Sequence, residues 1–168
     1  MAKLVESSVR LGGDGGAVRV ESVADILDRE LKHVIQEWLA RVNKEPDLVN
    51  VPLNNEERTG HLPHLINDVI NRLRLDAGSK APVSKAAAEH GDLRRKQGYT
   101  VTMMVEESRL LQVSIFTTLH KNVKQLEFSA LLPDVVTIAD EVDAQLKEQM
   151  LRFMAADDPK RKMAISTL

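Results

Sequence analysis

The chain has 168 residues, of which 43% are hydrophobic and 29% are charged, and this composition suits one soluble domain with a core of its own. Aromatic residues make up only 3% of the chain, which argues against an all-β sandwich and favours helices packed through aliphatic side chains. The absence of cysteine excludes disulfides, thiolate nucleophiles and zinc–thiolate sites, and the formal net charge of −2 gives no general attraction to nucleic acid.

Neither end of the sequence carries a targeting or membrane-spanning pattern. No apolar segment follows Lys3 as in a signal peptide, and no apolar run approaches the roughly 18 residues needed to cross a bilayer. We therefore expect a cytoplasmic protein that contacts no membrane. Residues 1–20 contain four glycines around Asp14 and are predicted to be a flexible tail, and the charged residues 157–168 are predicted to be a disordered C-terminal tail.

A helical domain is predicted between these tails, over residues 21–156. Its first helix begins after Ser22, a suitable N-cap, because apolar residues recur at helical spacing from Val23 to Val42. Pro46 and Pro52 then interrupt the pattern, so the segment around them is predicted to connect the first helix to a second one.

The second helix has a recognisable start and one candidate pair of metal ligands. Asn54 and Glu57 have the spacing of a capping box, and Pro63 further along predicts a short first turn followed by a kink. His61 and His64 are three residues apart and could face one metal ion, but no third ligand accompanies them. We therefore predict no metal site here.

Residues 89–111 form a predicted corner between the third and fourth helices. Gly98 stands where a helix often ends in a left-handed residue, and Thr100 can cap the helix that follows. Polar and titratable side chains are denser here than elsewhere in the chain: His90, Arg94, Arg95, Tyr99, Glu106, Glu107 and Arg109. The corner is therefore the candidate functional site.

Two chemical interpretations of the corner remain open. In the structural one, an arginine at 94 or 95 pairs with a glutamate at 106 or 107, and Tyr99 packs beside them with its hydroxyl satisfied. In the catalytic one, Glu107 orients His90 as a general base, although neither a nucleophile nor a metal completes a mechanism. The fourth helix is too acidic and apolar for a DNA groove, so no nucleic-acid partner is predicted.

The last two helices are strongly apolar. Residues 103–126 are apolar on more than one face, so this helix either lies at the centre of the domain or also packs on a second subunit. The final helix has a coiled-coil-like seam of Leu132, Val135, Ala139, Val142 and Leu146. We predict a homodimer with Val135, Val142 and Leu146 at its interface, and an all-α fold of about five, mostly antiparallel helices.

Several short motifs in and after the corner resemble the N-terminal domain of RsbRD-type co-antagonist proteins: Glu89-His90-Gly91, Leu93-Arg94, Gln97-Gly98-Tyr99-Thr100 and Glu107-x-Arg109-x-Leu111. The likeness extends loosely over residues 24–155. It implies a non-enzymatic bacterial sensor of the stress response, placed before a STAS domain or a histidine-kinase core, with no cofactor. It also implies signal-relay roles for His90, Arg94, Gln97, Tyr99, Glu107 and Arg109. Because neither output module follows residue 155, we expect either that the output module is absent or that the signal passes to a separate protein partner.

Two other classes of protein are kept as alternatives. A globin-like haem or metal protein would use His61, His64, His90 or His120 as a ligand, and an enzyme would use His90 and Glu107. The five histidines are scattered over faces that also carry charge, so neither haem nor a structural metal is predicted.

Overall fold

The computed structural model describes residues 19–155, and over that range the chain forms helices and no strand. The α-helices are α1 (Val23–Arg29), α2 (Leu31–Val42), α3 (Pro46–Val49), α4 (Asn55–Thr59), α5 (Leu62–Leu73), α6 (Lys85–Lys96), α7 (Val101–Lys121) and α8 (Phe128–Ala155), with a 3₁₀ helix (Val123–Gln125) before α8. The predicted all-α bundle is confirmed. In this range no helix combines the length and the apolar character that crossing a bilayer requires. The two predicted tails lie largely outside the described residues.

The helices outnumber the five predicted because two predicted helices are divided and one connection contains a helical turn. Glu30, with φ −94° and ψ 10°, separates α1 from α2 within what the apolar pattern indicated as one helix. Pro46 begins the four-residue α3. Pro63 stands at the start of α5, where its missing N–H costs nothing, and this gives the short turn and the break that were predicted.

Side-chain caps mark the first residues of α1, α4 and α6. The side chain of Ser22 accepts a hydrogen bond from the backbone N–H of Asp25, and Asn54 and Glu57 form the predicted capping box at α4. Ser84 caps α6 and also donates to the Asp68 carboxylate at 2.5 Å. These bonds satisfy N–H groups that a helix cannot satisfy by itself.

Helix α7 lies at the centre of the bundle, in contact with α1, α2 and α8. Its buried apolar residues include Met104 and Ile115. Ser114 and Thr118 are also fully buried, and their hydroxyls donate to backbone carbonyls four residues earlier at 2.7 and 3.0 Å. The first of the two arrangements predicted for this helix, the central one, is therefore observed within a single chain.

Helix α8 packs on α5, α6 and α7, and this corrects part of the predicted dimer seam. Val142 is only 1% exposed and belongs to the chain's own core, while Val135 and Leu146 are half-buried. Apart from Leu132, which is exposed, the seam is apolar because it covers neighbouring helices of the same chain. Val142 therefore cannot lie at an interface between folded subunits.

The approach of α6 to α8 depends on one residue. Gly91 is buried on α6, and a Cβ atom built there would lie 2.3 Å from the backbone oxygen of Gln149 and 2.8 Å from its Cα. Real Cβ atoms do not come this close to backbone atoms, so only glycine permits the observed spacing of the two helices.

Candidate functional site: a buried ionic cluster and an adjacent cavity

The corner between α6 and α7 is built as the sequence predicts. Gly98 has φ +84°, and its N–H and that of Tyr99 donate to the carbonyls of Arg95 and Arg94, which ends α6. Thr100 then caps α7 by accepting from the N–H of Met103 at 3.3 Å. The corner therefore sets the angle between α6 and α7.

Glu107 is the centre of the polar side chains at this corner. Its Oε2 atom accepts a hydrogen bond from Arg94 Nε at 3.1 Å and lies 3.1 Å from His90 Nε2, while its Oε1 atom accepts from the Tyr99 hydroxyl at 2.7 Å. The Glu107 side chain is only 4% exposed. We call His90, Arg94, Gln97, Tyr99 and Glu107 the corner cluster.

Arg94 connects the corner cluster to α4. Its guanidinium donates to the backbone oxygens of Arg58 at 2.6 Å and Glu57 at 3.3 Å, and to the side-chain oxygen of Gln97 at 2.8 Å. It also lies 4.8 Å from the centroid of the Tyr99 ring, close enough for a cation–π contact. Arg94 therefore holds α4, α6 and α7 together through one buried charge.

Arg58 is a second buried cation near the corner, and the sequence analysis missed it. Its guanidinium donates to the carbonyls of Leu48 at 2.8 Å and Val51 at 2.6 Å, so it fixes the connection around α3. An arginine in a short charged helix is ordinarily read as solvated. Only the three-dimensional path of the chain brings these carbonyls around it.

The corner cluster favours the ionised carboxylate. Burial by itself raises the pKa of a carboxyl, but the hydrogen bond from His90 and the charge of Arg94 outweigh it and hold the pKa of Glu107 below its ordinary value. Burial, together with the charge of Glu107, raises the pKa of the Tyr99 hydroxyl well above its ordinary value. A carboxylate this well satisfied and this far from solvent is suited to holding helices together and poorly suited to proton transfer.

Two other polar residues that were predicted at the corner, Arg95 and Arg109, make their contacts outside the corner cluster. Arg109 is exposed and pairs with Glu106 three residues before it, at 2.5 Å, so the structure does not bring Arg109 into the corner cluster. Arg95 donates to the backbone oxygen of Phe153 on α8 at 3.1 Å. Of the pairings that the structural interpretation allowed, the one between Arg94 and Glu107 is the one formed.

The candidate metal and haem ligands do not converge. The rings of His61 and His90 meet edge to face at 5.4 Å, His64 is exposed on α5, and His120 is exposed near the end of α7. Burial lowers the pKa of His61. Between residues 19 and 155 no three His, Asp or Glu side chains are arranged to hold a metal ion.

A cavity of about 550 Å³ lies between α5, the start of α6, and α8. One polar face of α5 lines it, at positions spaced as on one side of a helix: His64, Asn67, Asp68, Asn71 and Arg72. The remaining wall comes mainly from Pro82, Val83, Ser84, Ala86 and Glu89. The sequence analysis missed this cavity because polar residues at that spacing normally indicate only a solvated face.

Glu141 on α8 also lines the cavity and is itself only 5% exposed. Its Oε1 atom accepts from Gln145 Nε2 at 3.3 Å, and the same Nε2 donates to the backbone oxygen of Leu65 at 2.9 Å. Burial, followed by the negative charge of Asp68, raises the pKa of Glu141. Glu141 is thus a buried carboxyl that borders a space large enough for a small molecule.

The cavity and the corner cluster share helix α6. Ser84, the N-cap of α6, and Ala86 and Glu89 in its first turns border the cavity. His90, the next residue, and Arg94, one turn after it, belong to the corner cluster. Comparison of the chain with protein-family models, with curated proteins and with solved structures gives no match.

Proposed function

We propose that this chain is a non-enzymatic regulatory domain, similar in role to the N-terminal sensor of RsbRD-type co-antagonists, which binds a small polar molecule and passes the signal to a protein partner. The observation that carries this proposal is that α6 borders the 550 Å³ cavity with one half and holds the corner cluster with the other. A molecule that shifts the start of α6 would therefore change the forces on a buried ionic cluster.

The chemistry of the cavity indicates which molecules suit it. Glu141 offers an acceptor at its inner wall, Asn67 and Asn71 offer donors and acceptors, and Arg72 offers a cation. Leu75 and Val83 supply apolar surface. These groups match a small molecule that has a hydrogen-bond donor or an amino group facing Glu141 and a small apolar part.

The corner cluster supports a relay role better than a catalytic one. His90 and Glu107 are 4% exposed and bonded to each other, and the cavity lining does not include them. A substrate in the cavity would have no direct access to either group. In this proposal the corner cluster couples ligand binding to the angle between α6 and α7, through His90, Arg94, Gln97, Tyr99 and Glu107. Arg109 contributes to partner contact from the surface.

Filling the cavity should abolish ligand binding. In Asn71→Trp, an exposed residue of the cavity wall becomes an indole that occupies the space, so the fold is retained. We expect the protein purified from its host to retain a small molecule in native mass spectrometry, and Asn71→Trp to lose it. Ala144→Trp, exposed on α8 outside the cavity lining, is the matched control and should keep it. Equal retention by both variants would contradict a ligand site in this cavity.

We also propose that the protein is a homodimer, with the interface moved from Val142 to the start of α8. Phe128, Leu132 and Val136 repeat every four residues along one side of α8 and are 66%, 77% and 68% exposed. A second copy of the same stripe is a suitable cover because each apolar residue would meet another in a twofold arrangement.

Glutamate at Leu132 and Val136 should therefore give a folded monomer, whereas glutamate at Val142 should unfold the chain because that residue is in the core. Light scattering at tens of micromolar protein, with circular dichroism as the check on folding, separates these results. A wild-type chain that is monomeric at this concentration would contradict the dimer.

A further inference from the structure

A second, much smaller cavity lies in the interior, bordered by residues of α2, α5, α6, α7 and α8. Its volume is about 10 Å³, and its polar wall includes His90, Ser108 and Gln145. A polar cavity of this size accommodates a single water molecule, provided that at least two polar groups bind it.

We infer that this cavity is a binding site for one buried water molecule, which bridges His90 Nδ1 and Gln145 Oε1. These two atoms are buried and make no hydrogen bond to another group in residues 19–155. Their residues are 4% and 2% exposed, so bulk solvent does not reach them. Buried polar atoms in folded proteins are almost always hydrogen-bonded, to protein or to ordered water.

The hydrogen-bond roles of the two atoms match one water. Gln145 Nε2 faces two acceptors, the Leu65 carbonyl and Glu141 Oε1, which fixes the amide orientation and leaves its buried oxygen as an acceptor without a partner. His90 Nε2 faces the Glu107 carboxylate and donates to it, and in this Nε2–H tautomer Nδ1 is an acceptor as well. A water molecule has two hydrogens and donates one to each atom.

No side chain in the wall replaces this water. Ser108 has a single hydroxyl hydrogen, which serves at most one of the two acceptors. The Trp38 indole N–H, also in the wall, already donates to the backbone oxygen of Glu107 at 3.1 Å. Neither atom accepts a hydrogen bond from Gln149 or from any other group in residues 19–155, so a donor from outside the protein is needed to satisfy both.

With the water in place, a continuous hydrogen-bonded path joins the ligand cavity to the corner cluster. It runs from Glu141 through Gln145 and the water to His90 and Glu107. This part of the inference rests on the proposed function: a ligand that binds Glu141 would disturb Gln145 and thereby the bond that the water makes to His90.

The water itself is tested without any ligand. In the wild-type protein labelled with ¹⁵N-histidine, we expect the Nε2–H tautomer of His90 and an Nδ1 resonance moved upfield from that of a free lone pair, and a crystal structure should show density within hydrogen-bonding distance of both acceptors. Gln145→Met removes one acceptor and should move the Nδ1 resonance, whereas Gln112→Met, outside the cavity wall, should leave it unchanged.

A free Nδ1 lone pair, a protonated Nδ1 or an empty cavity in the wild-type crystal would each overturn the inference, whether or not Gln145→Met folds. Failure of the proposed function is distinguishable from this. If the water is present while the 550 Å³ cavity retains no ligand, the bridging site stands and the sensory role falls. If a ligand is retained and the water is absent, the sensory role is supported and the water site is refuted.

Discussion

Replacing Arg94 with methionine is expected to lower the free energy of unfolding by about 3–5 kcal/mol, because it leaves a buried carboxylate without its cation. The change also removes the donors to the carbonyls of Glu57 and Arg58, which are then unsatisfied. Domains of this size are typically stable by roughly 5–15 kcal/mol, so this loss is a large fraction of the total. Urea denaturation followed by circular dichroism measures the change.

Arg109→Met is the matched control for this experiment. Arg109 also pairs with a glutamate, but its side chain is 56% exposed, and solvent screens an exposed ion pair so that it contributes little. The same substitution should therefore be mild at Arg109 and severe at Arg94. Losses of similar size in the two variants would show that the corner cluster contributes no more than a surface pair.

Arg94→Met should also be more sensitive to acid than the wild-type protein. Because the folded-state pKa of Glu107 lies below its ordinary value of 4.5, its contribution to stability is complete above that value and is lost as the pH falls through the lower folded-state pKa. Removing Arg94 takes away one of the causes that lower this pKa. The acid unfolding midpoint of Arg94→Met should therefore lie at a higher pH than that of the wild type.

Replacing both Arg94 and Glu107 with apolar residues should not restore full stability. Exchanging an isolated buried ion pair for apolar side chains is often neutral. Here Glu107 also accepts from Tyr99 and bonds to His90, and these two groups would be left without their partner. The double variant should still be less stable than the wild type by more than about 1 kcal/mol. Altered partner binding in a folded double variant would favour a relay over a purely structural clamp.

The second large effect is expected at Gly91. Alanine there should cost about 3 kcal/mol, the upper end for overpacking, because the added carbon meets backbone atoms of Gln149 that cannot rotate away. Elsewhere in a helix the same change normally stabilises, since alanine is the better helix former. Asp92→Ala, at the exposed neighbouring position, is the control and should be neutral or slightly stabilising. A Gly91→Ala protein that melts at or above the wild-type temperature would contradict the close contact of α6 and α8.

The features predicted correctly from the sequence are those determined by neighbours in the chain. The caps at Ser22, Asn54 and Thr100 and the left-handed Gly98 depend on residues within one turn, and each is found where it was predicted. The pairing of Arg94 with Glu107 was one of those predicted, because a tight corner brings the two adjoining helix ends together.

The remaining features depend on contacts between distant parts of the chain. An apolar face such as that of Val142 shows that a residue will be covered but not by which helix, so a core residue was placed at a dimer interface. Glu141 and Gln145 lie beside that face and read as ordinary polar positions. The cavity in front of Glu141 exists because of the distance between α5 and α8, which no local pattern of residues determines.

The three bonds to Glu107 also limit how this corner can change over evolutionary time. A substitution at His90, Arg94 or Tyr99 leaves the shared carboxylate short of a donor, and a substitution at Glu107 leaves three groups without their acceptor. The effects of such changes are not additive, because each depends on which of the other residues are present. Any lineage that replaces this cluster with an apolar one must therefore pass through less stable intermediates, and the four positions are expected to persist or be lost as a set.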